Sequence, residues 1–180
     1  LAALTELVAE GKIRYIGSSN FTGWQIAEAA CVAEATGSVP FVSAQNHWSL
    51  LERAVETEVV PAARHFGVGV LPFFPLANGL LTGKIRRGSP APDGTRLAGR
   101  DGYVTEAKLD VVEALADWGG KHDVSLLAVA IAALAEQPGC GSVIAGAMSP
   151  EQVAGNAAAA DWIPSAADLA EIDAITLGGE

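Results

Sequence analysis

Positive charge is scarce in this sequence. Its 180 residues hold 11 Lys and Arg against 21 Asp and Glu, a formal charge of −10 with a pI near 4.7. Nucleic-acid affinity comes largely from clustered Lys and Arg, so a phosphate-backbone binder is excluded. Cysteine is scarcer still. Cys31 and Cys140 lie far apart with no CxxC or Cys/His ligand spacing, so they are expected as buried thiols in a reducing compartment, with no metal site. No apolar run reaches the roughly 18 residues that span a bilayer, and no basic-then-apolar signal segment opens the chain. It reads as cytoplasmic, without membrane or nucleic-acid partners. Half the residues are apolar and the mean hydropathy is +0.30, too much buryable surface for a disordered chain.

Leu1, Leu4 and Leu7 repeat at near-helical spacing from the first residue, with no Ser, Thr, Asp or Asn before them as a cap. The chain is therefore expected to begin inside a helix, as a piece of something longer. Gly11 ends that helix and Ile13 to Ser18 reads as a strand. Thr22 or Gly23 opens a second helix to Ala35, followed by a strand at Phe41 to Gln45. Glu52 to Phe66 is a third helical stretch, kinked or broken at Pro61, and Val68 to Phe73 a third strand. Residues 75 to 104 are rich in Gly and Pro and read as a long loop. Helices are expected again at Thr105 to Trp118 and Ser125 to Gln137, a fourth strand at Gly141 to Ile144, and a last helix at Ser165 to Ile175. Ser149-Pro150-Glu151-Gln152 is a strong helix start.

Strands separated by helices imply parallel pairing. A (β/α)₈ barrel needs about 250 residues, so four such units predict the C-terminal half of a TIM barrel, a single domain over 1–180. The competing architecture is an open doubly wound sheet. No G-x-G-x-x-G follows any strand, which counts against a Rossmann site.

Barrel active sites lie at the carboxyl ends of the strands. Ser19, Asn20 and Gln45 stand there and can together donate to and accept from a carboxamide, and Phe73 can stack on a flat heterocycle. The helix start at Ser149 suits an anion.

Here the sequence resembles the aldo-keto reductase superfamily. Gly11-Lys12-Ile13-Arg14-Tyr15-Ile16-Gly17-Ser18-Ser19-Asn20-Phe21 is similar to its GK-I/V-R-Y-I/L-G-x-S-N-F segment, and Pro75-Leu76-Ala77-Asn78-Gly79-Leu80-Leu81-Thr82-Gly83-Lys84 to its PLA-x-GLLTGK segment. Gln45 with Ser49-Leu50-Leu51-Glu52-Arg53, and Val143-Ile144 followed by Gly146-Ala147 and Ser149 to Gln152, match two further segments in order. The resemblance covers the whole chain, about the C-terminal half of a member.

It implies an NADPH-dependent reductase of aldehydes and ketones, with NAD possible. Ser19, Asn20 and Gln45 match the residues that hold the nicotinamide carboxamide, and Phe73 the aromatic position over the nicotinamide. Leu76, Ala77, Gly79, Leu80 and Lys84 match the loop around the pyrophosphate. Gly146, Ala147, Gln152 and Asn156 match the segment that receives the adenosine and its 2′-phosphate. Gln152 and Gly146 stand where some branches have Arg and Lys, and Phe74 where the family often has serine. Trp48 is expected to line a substrate pocket. The catalytic Asp, Tyr, Lys and His belong to the other half of such a barrel, so no catalytic residue is assigned; Tyr15 and Tyr103 match no motif.

Taken singly, each of these residues has a plainer role in loop or core. Trp24, Trp118 and Trp162 read as packing residues, Arg86 and Arg87 as solvated loop, and His47, His65 and His122 lack a Ser/Asp partner pattern or metal spacing. Three functions remain open: the carbonyl reductase with its first half missing from this chain, a non-catalytic cofactor-binding regulatory subunit, and a structural fragment. The first expects the chain alone to be inactive and to self-associate, with a small carbonyl compound and the missing half of the barrel as partners.

Overall fold

Three short parallel strands, β1 (Gly17–Ser19), β2 (Ser43–His47) and β3 (Gly69–Phe73), pair in chain order. The computed structural model describes residues 1–88 and 102–178, and part of the expected 75–104 loop lies outside them. The pairing sets Gly17, Ser43 and Gly69 in one row and Ser19, Gln45 and Leu71 in the next, with His47 opposite Phe73. Alternate residues fall on opposite faces. Ser18, Ala44, Asn46, Val70 and Pro72 occupy the buried face, while the row residues are exposed or half-buried.

These strands belong to the first of two units, Leu1–Trp48, Arg53–Phe73 and Pro138–Val143. Its helices are α1 (Ala2–Ala9), α2 (Gly23–Thr36) and α3 (Val59–His65), with a 3-10 turn at Ala54–Glu56. Helix α2 buries Ile26 and Ala33, α3 buries Val59, Val60 and Ala63, and the two pack on each other. Gln25 Oε1 accepts the Thr22 N–H at 2.9 Å, and Glu58 caps the same helix end by accepting from the Trp24 N–H at 2.9 Å. Gly23 makes that approach possible, since a Cβ there would lie 2.7 Å from the Glu58 carbonyl oxygen.

The expected helix–strand alternation is present, with shifted bounds. Ile13 to Ile16 is no strand, because the N–H groups of Lys12 and Ile13 still bond back to Leu7 O at 3.0 and 3.4 Å as α1 closes through the left-handed Gly11. Pro61 does not kink a helix. It lies in the first turn of α3, where an N–H has no intrahelical partner to lose, and the break falls before Val59.

The fourth strand expected at Gly141 to Ile144 is reduced to one parallel bridge between Val70 and Cys140. The Val70 N–H donates to Gly139 O at 2.8 Å and the Gly141 N–H to Val70 O at 2.7 Å. The next residue of β3 facing that side is Pro72, which has no N–H with which to continue the ladder. The described fold is thus α/β with a three-stranded parallel sheet.

The second unit comprises Ser49–Glu52, Phe74–Gln137 and Ile144–Glu180. It holds a 3-10 turn at Ala77–Thr82 and helices α4 (Glu106–Lys121), α5 (Leu126–Ala135), α6 (Pro150–Ala159) and α7 (Ala166–Leu177). Helix α5 is buried from Ala128 to Leu134. Around it Leu50, Leu80, Leu81, Val112, Leu115, Trp118 and Ile172 form one core. Side-chain oxygens of Thr105, Ser125, Ser149 and Ser165 accept a backbone N–H at the starts of α4 to α7. Each replaces a partner that the first turn of a helix lacks.

Several expectations fail here. Cys31 is exposed on α2 and Cys140 half-buried, where buried thiols are expected. Trp24 is exposed, because the N-terminal turn of α2 is fastened by the Gln25 and Glu58 side chains and needs no buried ring. Arg87 is not simply solvated. Its guanidinium binds Glu113, Asp110 and Glu106 of α4, and the hydrogen bonds to Glu113 and Asp110 hold it well above the usual guanidinium range.

Candidate nicotinamide dinucleotide site

In the first unit the carboxyl end of the sheet gathers Ser19, Asn20 and Gln45. Ser19 and Gln45 are register partners, so they share a face. Directly after β1, Asn20 turns left-handed (φ 57°), a conformation that asparagine tolerates better than most residues. Its N–H donates to Gln45 O at 2.9 Å, and its side-chain amide donates to Ser19 Oγ at 3.2 Å. The half-buried Gln45 amide makes no hydrogen bond among the described residues. A hydroxyl and two amides here match the alternating donors and acceptors of a carboxamide.

Sequence reasoning missed the residue beneath them. Asn46, 6 % exposed, points to the opposite face and donates through Nδ2 to Phe21 O at 3.0 Å, tying the Asn20 loop to β2. The signal was available, since a polar residue on the covered face of a strand needs a partner. His47 was likewise set aside, yet its ring stacks on Phe73, with centroids 5.4 Å apart and planes 13° from parallel. Trp48, expected in a substrate pocket, is 1 % exposed and donates from Nε1 to Glu56 Oε1 at 2.8 Å. It is a core residue, because the indole buries its surface there and still satisfies its N–H.

In the second unit the side chains of Ala77 and Leu80 are fully buried, so only their backbone is available to a ligand. The turn passes through three consecutive left-handed residues, Ala77, Asn78 and Gly79, and Thr82 Oγ1 donates to Gly79 O at 2.7 Å. Phe74, where a small residue was expected, is also left-handed and 41 % exposed. Lys84 is exposed and has no ion-pair partner among the described residues. Gln152 and Asn156, one turn apart on α6, both reach back to the segment before it. Gln152 Oε1 accepts the Met148 N–H at 2.8 Å, and Asn156 Nδ2 donates to Gly146 O at 3.5 Å. Ser149 Oγ, with the backbone N–H of Glu151 itself, holds the Glu151 carboxyl below the usual range.

A profile of the aldo/keto reductase family matches residues 1–176. The chain belongs to that family. Among its curated relatives, the NADH-specific methylglyoxal reductase of Escherichia coli is 35% identical over 171 residues, 93% of this chain and 50% of the relative. An uncharacterized oxidoreductase of Bacillus subtilis, YrpG, is 44% identical over 104 residues, 58% of this chain and 31% of the relative. The human aldo-keto reductase family 7 member A3 is 40% identical over 86 residues, 48% of this chain and 26% of the relative. The chain thus spans half or less of the length of these relatives.

Tyr15 is 76 % exposed. Lys108 Nζ lies over the face of the Tyr103 ring, 3.8 Å from its centroid, and donates to the Tyr103 carbonyl at 3.3 Å. Among the described residues no cluster of three metal-ligating side chains occurs, and no helix is long and apolar enough to cross a membrane.

Proposed function

We propose that this chain is the cofactor-holding, C-terminal half of a cytoplasmic aldo/keto reductase barrel that reduces small aldehydes or ketones with NAD(P)H. The observation that carries this reading is the Ser19, Asn20 and Gln45 set, folded onto one strand end with the free Gln45 amide at its centre. The names of the relatives, a methylglyoxal reductase among them, support the carbonyl chemistry. The half-exposed row of Ser43, Gln45, His47, Gly69, Leu71 and Phe73 supports the half barrel, because closure covers the inner face of such a sheet.

The bound cofactor supplies a hydride. The chain's residues would hold it: Ser19, Asn20 and Gln45 would bind the carboxamide, and Phe73 would pack against the nicotinamide. Backbone groups at Leu76, Ala77, Gly79 and Leu80, with the Lys84 ammonium, receive the pyrophosphate. Gly146, Ala147, Gln152 and Asn156 receive the adenosine. The proton for the product alcohol comes from the other half of the barrel, since neither Tyr15 nor Tyr103 is arranged to give it.

The test is oxidation of reduced cofactor with a generic aldehyde. The complete protein carrying this chain turns over, and the 180-residue chain alone does not and self-associates in size exclusion with light scattering. A complete protein that binds cofactor without turnover is instead a regulatory subunit. Turnover by the chain alone, or its existence as a cooperatively melting monomer, contradicts the half-barrel reading.

A further inference from the structure

We infer that the cofactor is NAD(H) rather than NADP(H), because the segment assigned to the adenosine offers two neutral amides and a carboxylate but no cation. This rests on the reading above, which places the adenosine at Gly146, Ala147, Gln152 and Asn156.

NAD and NADP differ by one phosphate on the ribose 2′-oxygen. A phosphate monoester carries close to two negative charges at neutral pH, and leaving water costs it heavily unless Arg or Lys replaces the lost solvation. From His122 to the end of the chain there is no Lys or Arg, while eight residues are Asp or Glu. Helix α5, which packs against α6, is wholly uncharged (LLAVAIAALA) and contributes no cation from below. The first turn of α6 carries the acidic Glu151, fully exposed and ionised at neutral pH.

Of the two amide side chains assigned to the adenosine, Gln152 is already committed in part. Gln152 Oε1 accepts the Met148 N–H, which leaves its amide NH₂ as a neutral donor. That donor suits a ribose hydroxyl, which it can meet without charge. Against a dianion it supplies one neutral hydrogen bond beside the Glu151 carboxylate. The dipole of the ten-residue α6 offsets only part of this. Arg87 is held by three carboxylates of α4, so it is not at liberty to serve. Lys84 is assigned to the pyrophosphate, which both dinucleotides share.

The test is isothermal titration of the complete protein with NAD⁺ and with NADP⁺ at low salt. NAD⁺ is expected to bind at least tenfold more tightly, a difference of about 1.4 kcal/mol. Gln152→Arg should shift the ratio of NADP⁺ to NAD⁺ affinity by roughly tenfold toward NADP⁺, and Lys84→Gln should weaken both alike. Equal or tighter binding of NADP⁺ by the unmodified protein overturns this inference and leaves the reductase reading intact. A Lys84→Gln loss confined to NADP⁺ also overturns it, by making Lys84 the partner of the 2′-phosphate. Binding of neither dinucleotide overturns both.

Discussion

His47 and Phe73, the last register partners of β2 and β3, lie ring on ring at 5.4 Å and 13°. Parallel pairing produces the contact. Opposed residues on neighbouring strands point to the same face, and two flat side chains at the same level meet in an offset stack. A ring held in this way has little rotational freedom left to lose if a flat ligand packs beside it.

Phe73→Ala in the complete protein should therefore weaken cofactor binding and lower turnover several-fold, since aromatic contacts are worth roughly 0.5–1.5 kcal/mol beyond area burial. Phe74→Ala should do less. Steady-state kinetics with one aldehyde compares them, and equal effects would assign the wrong ring to the cofactor.

Asn46 acts from the far side of β2. Removing its bond to Phe21 O leaves a part-buried carbonyl without its partner, so Asn46→Ala should cost about 0.5–1.5 kcal/mol in urea melts. Cofactor affinity should fall with it, because Asn20 hangs from the same loop. A loss of stability with unchanged affinity would show that the loop does not position the carboxamide site.

Gly23→Ala is a case of opposed signs. Replacing glycine by alanine in a helix ordinarily stabilises by roughly 0.5–1 kcal/mol. Here the new Cβ would meet the Glu58 side chain at 2.5 Å and its carbonyl oxygen at 2.7 Å, and overpacking of this kind costs about 1–3 kcal/mol. The melting temperature should fall. A rise would mean that Glu58 moves away without cost.

Asp168 gives a pH test. The Ser165 hydroxyl, and then the Ser165 N–H at 2.8 Å, hold its carboxyl below the usual range. A depressed carboxyl contributes stability above its unfolded pKa and loses it as the pH falls through the folded value. Asp168→Asn should thus melt below wild type at neutral pH, with the gap closing below about pH 3.9. A gap that stays constant down to acid pH would show that the charge contributes nothing.

Legibility followed the range of the forces involved. Helix starts were plain at Ser149 and Ser165 because a cap is chemistry within four residues. The alternation of helix and strand was plain for the same local reason. The strand bounds were not: β1 shrank to Gly17–Ser19 because α1 retained the N–H groups of Lys12 and Ile13. The missing fourth strand turned on Pro72, a residue that reads as ordinary until pairing shows which way it faces. Gln45 and Asn20 stood out through their motif, whereas Asn46 and the Arg87 cluster depend on partners 25 and 26 positions away. Trp48 was misread because an indole at a strand end looks the same whether it lines a pocket or fills a core.

The most direct test of the account is whether the Ser19, Asn20 and Gln45 set receives the nicotinamide and nothing else of the cofactor. Titration of the complete protein and of its Gln45→Leu variant with NADH and with ADP-ribose, which lacks the nicotinamide, separates the two ends. Gln45→Leu should weaken NADH about tenfold, the scale of one or two lost hydrogen bonds, and leave ADP-ribose unchanged. Equal losses for both ligands, or no loss for NADH, would contradict the account.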